Sequence, residues 1–195
     1  GVDVLVKSGH KVIIEDSAGL GSGFNNEIYI KSGAEIISNA KDVYKRADLI
    51  VKVKEPQETE LAKIKDSQII FTFFHFGGNK ELLDTFLKTK GTAIAYETVE
   101  ANGSLPLLTP MSEIAGRMSV LNGAKFLEGT YGAKGKLLSE VPGVEPATVT
   151  IIGGGVVGLN AAKIASGLGA KVNILDINIS ALRFLDNIMP SNVIT

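Results

Sequence analysis

The sequence has no cysteine and no tryptophan, and only two histidines among its 195 residues. Without cysteine there are no disulfides and no thiolate metal sites, and two imidazoles are too few for the usual zinc arrangements. Neither sign of charge is in excess: 20 Lys and Arg stand against 21 Asp and Glu, a net charge of −1. Such a surface lacks the basic field that attracts nucleic acid or an anionic membrane, and no basic run is interleaved with aromatics. No apolar stretch approaches the roughly 18 residues that span a bilayer, and no signal peptide is visible. What the chain does have is 45% hydrophobic residues and 22 glycines. That is enough apolar content for one or two real cores, so the expectation is a soluble, cytoplasmic protein with no metal.

The glycines concentrate the information between Thr148 and Asn178. A short apolar run, Val149 to Ile152, meets Gly153, Gly154 and Gly155, followed by Val156, Val157 and Gly158. An alanine-rich helical pattern comes next, and a second apolar run, Val172 to Leu175, ends on Asp176. Strand, glycine turn, helix, strand and acid make up a dinucleotide site. Gly153 permits the tight turn, Gly155 lets backbone approach a pyrophosphate, and Gly158 brings helix and strand together. The helix start presents free N–H groups and partial positive charge to the phosphates. Asp176 follows Gly158 by 18 residues, where a carboxylate accepts hydrogen bonds from ribose hydroxyls and repels a 2′-phosphate. The expected cofactor is NAD.

Elsewhere the chain alternates helix and strand patterns. Apolar runs at Val12–Ile14, Leu49–Val53, Ile69–Phe74 and Thr92–Tyr96, with a weaker one at Glu35–Ile37, are separated by helical patterns. This reads as α/β with a parallel sheet covered on both faces. Pro106 to Pro110 breaks the pattern, and a long helix is expected from Ser112 to about Gly129. Ser112 would be its N-cap, and Ile114, Met118, Leu121, Ala124 and Leu127 its packed stripe. Two domains are expected, residues 1–108 and 109–195. The helix tail at Gly1–Gly9 and the strand start at Asn192–Thr195 suggest that both are incomplete, because a dinucleotide domain normally has two halves.

Candidate chemistry gathers at strand ends, where open parallel sheets bind ligands. Val51 to Pro56 reads VKVKEP. Strand alternation sets Lys52 and Lys54 on one face, where a lysine can hold a substrate carboxylate or simply be solvated. Ile69–Phe74 runs into His75, which can exchange a proton near neutral pH or sit satisfied in the core. Tyr96 and Glu97 end the next run, and either could face the same cleft, although a strand-end glutamate is more often paired or hydrated. Arg117 could pair with Glu113 at helical i, i+4 spacing. Phe71, Phe73, Phe74 and Phe76 read as core, and His10 is given no role.

The segments VKVKEP, IIFTFFHF, AIAYETVE, GSLPLLTPMSEIAGRMSV, and GGVVG followed by VNILDIN resemble the alanine dehydrogenase family. The similarity runs from end to end. It implies two Rossmann-like doubly wound parallel-sheet domains, a substrate domain over 1–108 and an NAD-binding domain over 109–195, both incomplete here. By resemblance Lys54 binds substrate, His75 is catalytic, Ser112 touches NAD, and the Val156–Val157 backbone contacts the pyrophosphate. Gly153, Gly155, Gly158 and Asp176 complete the cofactor set. Ala181 stands where family members often carry a basic residue, and the histidine's neighbours are phenylalanines where the family usually has leucines. The implied reaction is reversible deamination of L-alanine to pyruvate and ammonia with NAD⁺ reduction, in an enzyme commonly hexameric. A substrate arginine and a second catalytic carboxylate would lie outside this sequence, so the 195 residues alone are expected to be inactive. The alternative is the NAD-binding component of proton-translocating nicotinamide nucleotide transhydrogenase, which generally lacks the histidine at 75.

Overall fold

The computed structural model describes residues 1–195, which form two compact units, Gly1–Val99 and Glu100–Thr195. The division falls ahead of 108, where the change of sequence pattern sets it, so Pro106–Pro110 belongs to the second unit. No helix is long and apolar enough to cross a membrane.

The first unit opens with helix α1 (Val2–Lys7) and then alternates strand and helix. Strand β1 (Ile13–Glu15), α2 (Asn26–Lys31), β2 (Glu35–Ile37), α3 (Ala40–Arg46), β3 (Leu49–Val51), α4 (Glu58–Leu61), β4 (Ile69–Thr72), α5 (Lys80–Thr89) and β5 (Thr92–Ala95) follow in order. All pairings are parallel, β1 with β2 and, in a separate ladder, β3 with β4 and β4 with β5. Parallel neighbours need crossover helices, and the sequence starts several of them with side-chain caps. The side chains of Asn25, Asn39 and Asn79 accept from the amides of Ile28, Asp42 and Leu82. A core of Tyr44, Ile50, Leu61, Ile70, Phe74, Leu82 and Phe86 fills the unit. Phe74 stacks on Phe76 and meets Phe86 edge-on, so the phenylalanine run is largely packing, as its composition suggests.

Strands β3 and β4 stop short of their apolar runs. The chain leaves the ladder after Val51 and Thr72, yet stays tied alongside it by Lys52 N–H to Phe71 O and Phe73 N–H to Val53 O, both 3.2 Å. Those two overhangs carry the functional candidates.

The second unit contains α6 (Thr109–Phe126), β6 (Thr148–Ile152), α7 (Val156–Gly167), β7 (Lys171–Leu175), α8 (Ile179–Ile188) and β8 (Val193–Ile194). Its strands form one parallel sheet in the order β6-β7-β8, the arrangement of a β-α-β-α-β unit of the doubly wound kind. Helix α6 begins before Ser112. Pro110 sits in its first turn, where a missing N–H costs nothing, and the Ser112 amide already donates to Leu108 O, so Ser112 is not the N-cap.

The packed stripe of α6 also differs from expectation. Ile114, Met118 and Leu121 are about half exposed, while Gly116 and Val120 are buried and Ala124 and Leu127 pack against the core. The reason is a close helix crossing. A Cβ on Gly116 would lie 2.2 Å from Val157 O, and the facing side of α7 is small, with Gly158, Asn160, Ala161 and Ala165 buried. Backbones approach where side chains are absent, so the stripe follows Gly116 and not the larger residues.

Candidate functional site

In the first unit, His75 is the hinge of the overhang after β4. Its φ is 54°, a left-handed conformation that costs a non-glycine residue on the order of 1 kcal/mol or more unless it is over-determined. Here the determinant is Glu97, just beyond β5. The register pairs Thr72 with Ala95, so two residues further on Glu97 comes beside Phe74. Its carboxylate accepts from the amides of Phe74 (3.2 Å) and His75 (2.7 Å). The bend projects the imidazole outward, 58% exposed, with its ring stacked on Phe73 at 6.0 Å. It is not a core histidine.

The overhang after β3 meets it. Lys54 Nζ and His75 Nδ1 each lie 3.5 Å from the same atom, Oε2 of Glu55. Thr72 Oγ1, fully buried, donates to Lys54 O at 2.8 Å and holds this loop against β4. Lys52 does not join Lys54 at Glu55. It turns to Glu60 at 2.6 Å, and Tyr44 donates to the same carboxylate at 3.3 Å. Burial raises the Glu60 carboxyl, but the Gln57 amide, Lys52 and Tyr44 together bring it below its usual value. Burial and that same carboxylate push the Tyr44 phenol up. Lys52 is therefore structural. Tyr96 is packed edge-on against Phe71 and Phe73, and burial raises its phenol as well, so it is part of the wall.

The second unit builds its site from backbone. Gly153 has φ 101° and donates to Leu175 O at 2.7 Å, turning the chain out of β6. A Cβ on Gly158 would stand 1.9 Å from Gly153 O, so only glycine lets α7 begin there. A Cβ on Gly155 would meet nothing, which leaves the approach to the turn open. Leu159 makes the first bond back to Gly155, at 2.8 Å, so the Val156, Val157 and Gly158 amides have no acceptor within the helix.

Asp176 is drawn into this turn. Its carboxylate accepts from Asn178 N–H at 2.8 Å and Gly154 N–H at 2.6 Å, and those bonds hold it below the ordinary aspartate value. A carboxylate has about four lone-pair sites, so two remain for ribose hydroxyls. Ser112, Gly153, Gly155, Val156, Val157 and Gly158 line one cavity of about 700 Å³. Free amides, an open approach and an acid with spare lone pairs fit a dinucleotide. Arg117 does not pair with Glu113; it donates to Asn160 Oδ1 at 3.2 Å and ties α6 to α7. Ala181 offers only its amide, which caps onto Asn178.

Glu55 and Glu97 are the groups that sequence reasoning missed or undervalued. The signal for Glu97 was the parallel register of the two strand ends. For Glu55 it was adjacency to Lys54, with Pro56 restricting its backbone to extended conformations.

The N-terminal domain of the alanine dehydrogenase/PNT family matches residues 1–115, and its C-terminal domain matches residues 119–195. The chain belongs to the alanine dehydrogenase/PNT family. It is 55% identical to alanine dehydrogenase of Methanococcus maripaludis and 53% identical to that of Bacillus subtilis, each over 100% of this chain. These alignments cover 52% and 51% of the relatives, so the chain spans about half the length of the curated relatives it matches. Among solved structures, an L-alanine dehydrogenase superposes with a TM-score of 0.88 at 49% identity, covering 99% of this chain and 54% of that one. A transhydrogenase from Sinorhizobium meliloti follows at TM-score 0.74 and 26% identity, covering 95% and 53%. The α/β, Rossmann-like parallel-sheet architecture expected from the sequence is borne out.

Proposed function

We propose that this protein is an NAD-dependent alanine dehydrogenase, an oxidoreductase that reversibly deaminates L-alanine to pyruvate and ammonia. The observation that carries the reading is the meeting of Lys54 and His75 at the ends of two neighbouring parallel strands. Neither side chain is needed merely to hold a nucleotide. Together they suit a small substrate that carries a carboxylate beside a carbon that becomes a carbonyl. Lys54, 68% exposed, offers a compact ammonium for the carboxylate. His75 holds or releases a proton at the oxygen of the product, the role for which imidazole is suited near neutral pH.

The glycine turn is assigned to NAD. Gly153, Gly155 and Gly158 shape it, the Val156 and Val157 amides face the pyrophosphate, Ser112 lines the cavity, and Asp176 takes the ribose. Bound there, NAD would supply the two-electron oxidation of the substrate. Residues 1–108 then act as the substrate domain and 109–195 as the NAD domain. The same reading includes a place in amino-acid metabolism, as an L-alanine-consuming step in the cytoplasm, and a homohexamer, both supported by family resemblance.

The test is NADH formation from L-alanine and NAD⁺ by the full-length protein. The expected result is activity that disappears in His75→Ala while NAD binding persists. Full activity in that variant would sink the assignment of His75. A wild-type protein that binds NAD but never oxidises alanine would favour the transhydrogenase alternative.

A further inference from the structure

Glu55 Oε2 is buried and makes no hydrogen bond, although two donors lie 3.5 Å away. A buried acceptor without a partner is costly, and the donors within reach of this one are the Lys54 ammonium and the His75 imidazole. The backbone on both sides of this contact is held in place. Glu97 pins the His75 backbone, Thr72 pins the Lys54 backbone, and Pro56 restricts Glu55 to an extended conformation. The remaining freedom is rotation of the imidazole and the choice of which nitrogen carries its proton.

We propose that Glu55 is a positioning residue that accepts the Nδ1 proton of His75, so that Nε2 is left bare toward the substrate, and that the same oxygen steadies the Lys54 ammonium. This deepens the site assigned above and rests on that reading for its catalytic meaning. When Nε2 takes a proton, the Glu55 charge compensates the imidazolium beside it. Glu55 is suited to this because its carboxyl is held below the usual range. Its own backbone N–H contributes most, burial opposes, and Lys54 and His75 add to the lowering. The other ionisable groups near the ring are otherwise engaged. Glu97 is committed to the Phe74 and His75 amides, and Tyr96 is packed against Phe73.

The two histidines make the experiment simple, since His10 is exposed and serves as an internal reference. Nitrogen-15 NMR of the neutral imidazoles reads the tautomer of each directly. Expected is an Nδ1–H tautomer for His75 that differs from His10, is kept in Glu55→Gln, whose carbonyl still accepts, and is lost in Glu55→Leu. A wild-type His75 with the same tautomer ratio as His10 would overturn the proposal, and that measurement needs no variant to fold. In the full-length protein, Glu55→Leu should lower kcat for alanine about 100-fold with the KM for NAD unchanged. An unchanged kcat would equally overturn it. If the wild-type full-length protein does not oxidise alanine, the functional reading fails, and the tautomer result still decides the role of Glu55.

Discussion

The glycine turn of the second unit and the histidine loop of the first unit achieve unusual backbone geometry by opposite means. At Gly153 and Gly158 the geometry exists because side chains are missing: a positive φ at the first, and at the second a helix start where a Cβ would stand 1.9 Å from Gly153 O. At His75 a comparable left-handed turn is forced on a full side chain by a carboxylate 22 residues later. One site is intrinsic to its own residues. The other is held together by contacts between strand ends, and is correspondingly easier to loosen without unfolding anything.

The largest effect that tests this contrast is expected at Gly158. Gly158→Ala sets a methyl against Gly153 O with backbone on both sides, so neither can yield. A loss of about 3 kcal/mol from the second unit is expected, with the first unit unaffected. Gly155→Ala is the control. Its Cβ meets nothing, so stability should hold while NAD affinity falls, because the methyl occupies the phosphate approach. Thermal unfolding and NAD titration of the two variants separate packing from ligand approach. Equal destabilisation by both would show that the turn is not limited by that one contact.

Glu97 comes next. Glu97→Ala removes a charged acceptor from the Phe74 and His75 amides, and about 2 kcal/mol should be lost from the first unit. His75 is then free to leave the left-handed region, so kcat should fall more steeply than stability alone predicts. Glu97→Gln keeps one acceptor and should fall between. Denaturant unfolding together with steady-state kinetics checks both. A Glu97→Ala variant with normal kcat would mean that the loop holds its shape unaided.

The same contrast explains what could be read from the sequence. The second unit's turn was legible because its rules are local: glycines at fixed spacing, then an acid at the end of the next strand. The parallel α/β order was legible too, from apolar runs alternating with helical patterns. The boundaries at the site were not. Val53 and Phe74 look like strand, but the chain bends where Thr72 bonds Lys54 O and Glu97 captures two amides, and no local pattern records either contact. Lys52 and Lys54 look equivalent by alternation, yet Glu60 claims one of them through a helix that starts further on. On α6 the larger apolar residues suggested the packed stripe, and a glycine decided it, because a helix crossing is set by what lets backbones meet.

Thr72 offers a smaller perturbation of the first unit. Thr72→Val preserves shape but leaves the part-buried Lys54 carbonyl without its donor, at a cost of about 1 kcal/mol. Lys54 then shifts relative to His75, so the KM for alanine should rise severalfold with a lesser change in kcat. A rise in the KM for NAD would place the damage in the other unit and break the comparison.

Acid sensitivity is the smallest difference expected between the units, and its direction follows from sign. Glu60 in the first unit and Asp176 in the second both have folded-state values depressed below their ordinary 4.5 and 3.8. A depressed carboxyl binds its proton less readily when folded, so ionisation favours the folded state. Its contribution is complete above the unfolded value and is lost as pH falls through the folded one. The gap between wild type and Glu60→Gln should therefore be constant down to about pH 4.5 and narrow below it. The gap for Asp176→Asn should hold to lower pH before it narrows, because its window opens at 3.8. Amide exchange resolved by unit across pH 6 to 3 reads both. Because the carboxylate of Asp176 is tied to Gly154 N–H, its protonation should loosen the turn itself and weaken NAD binding in the same window. NAD affinity that stays flat through that window while exchange at Gly154 accelerates would mean that the acid shapes the turn without touching the ribose.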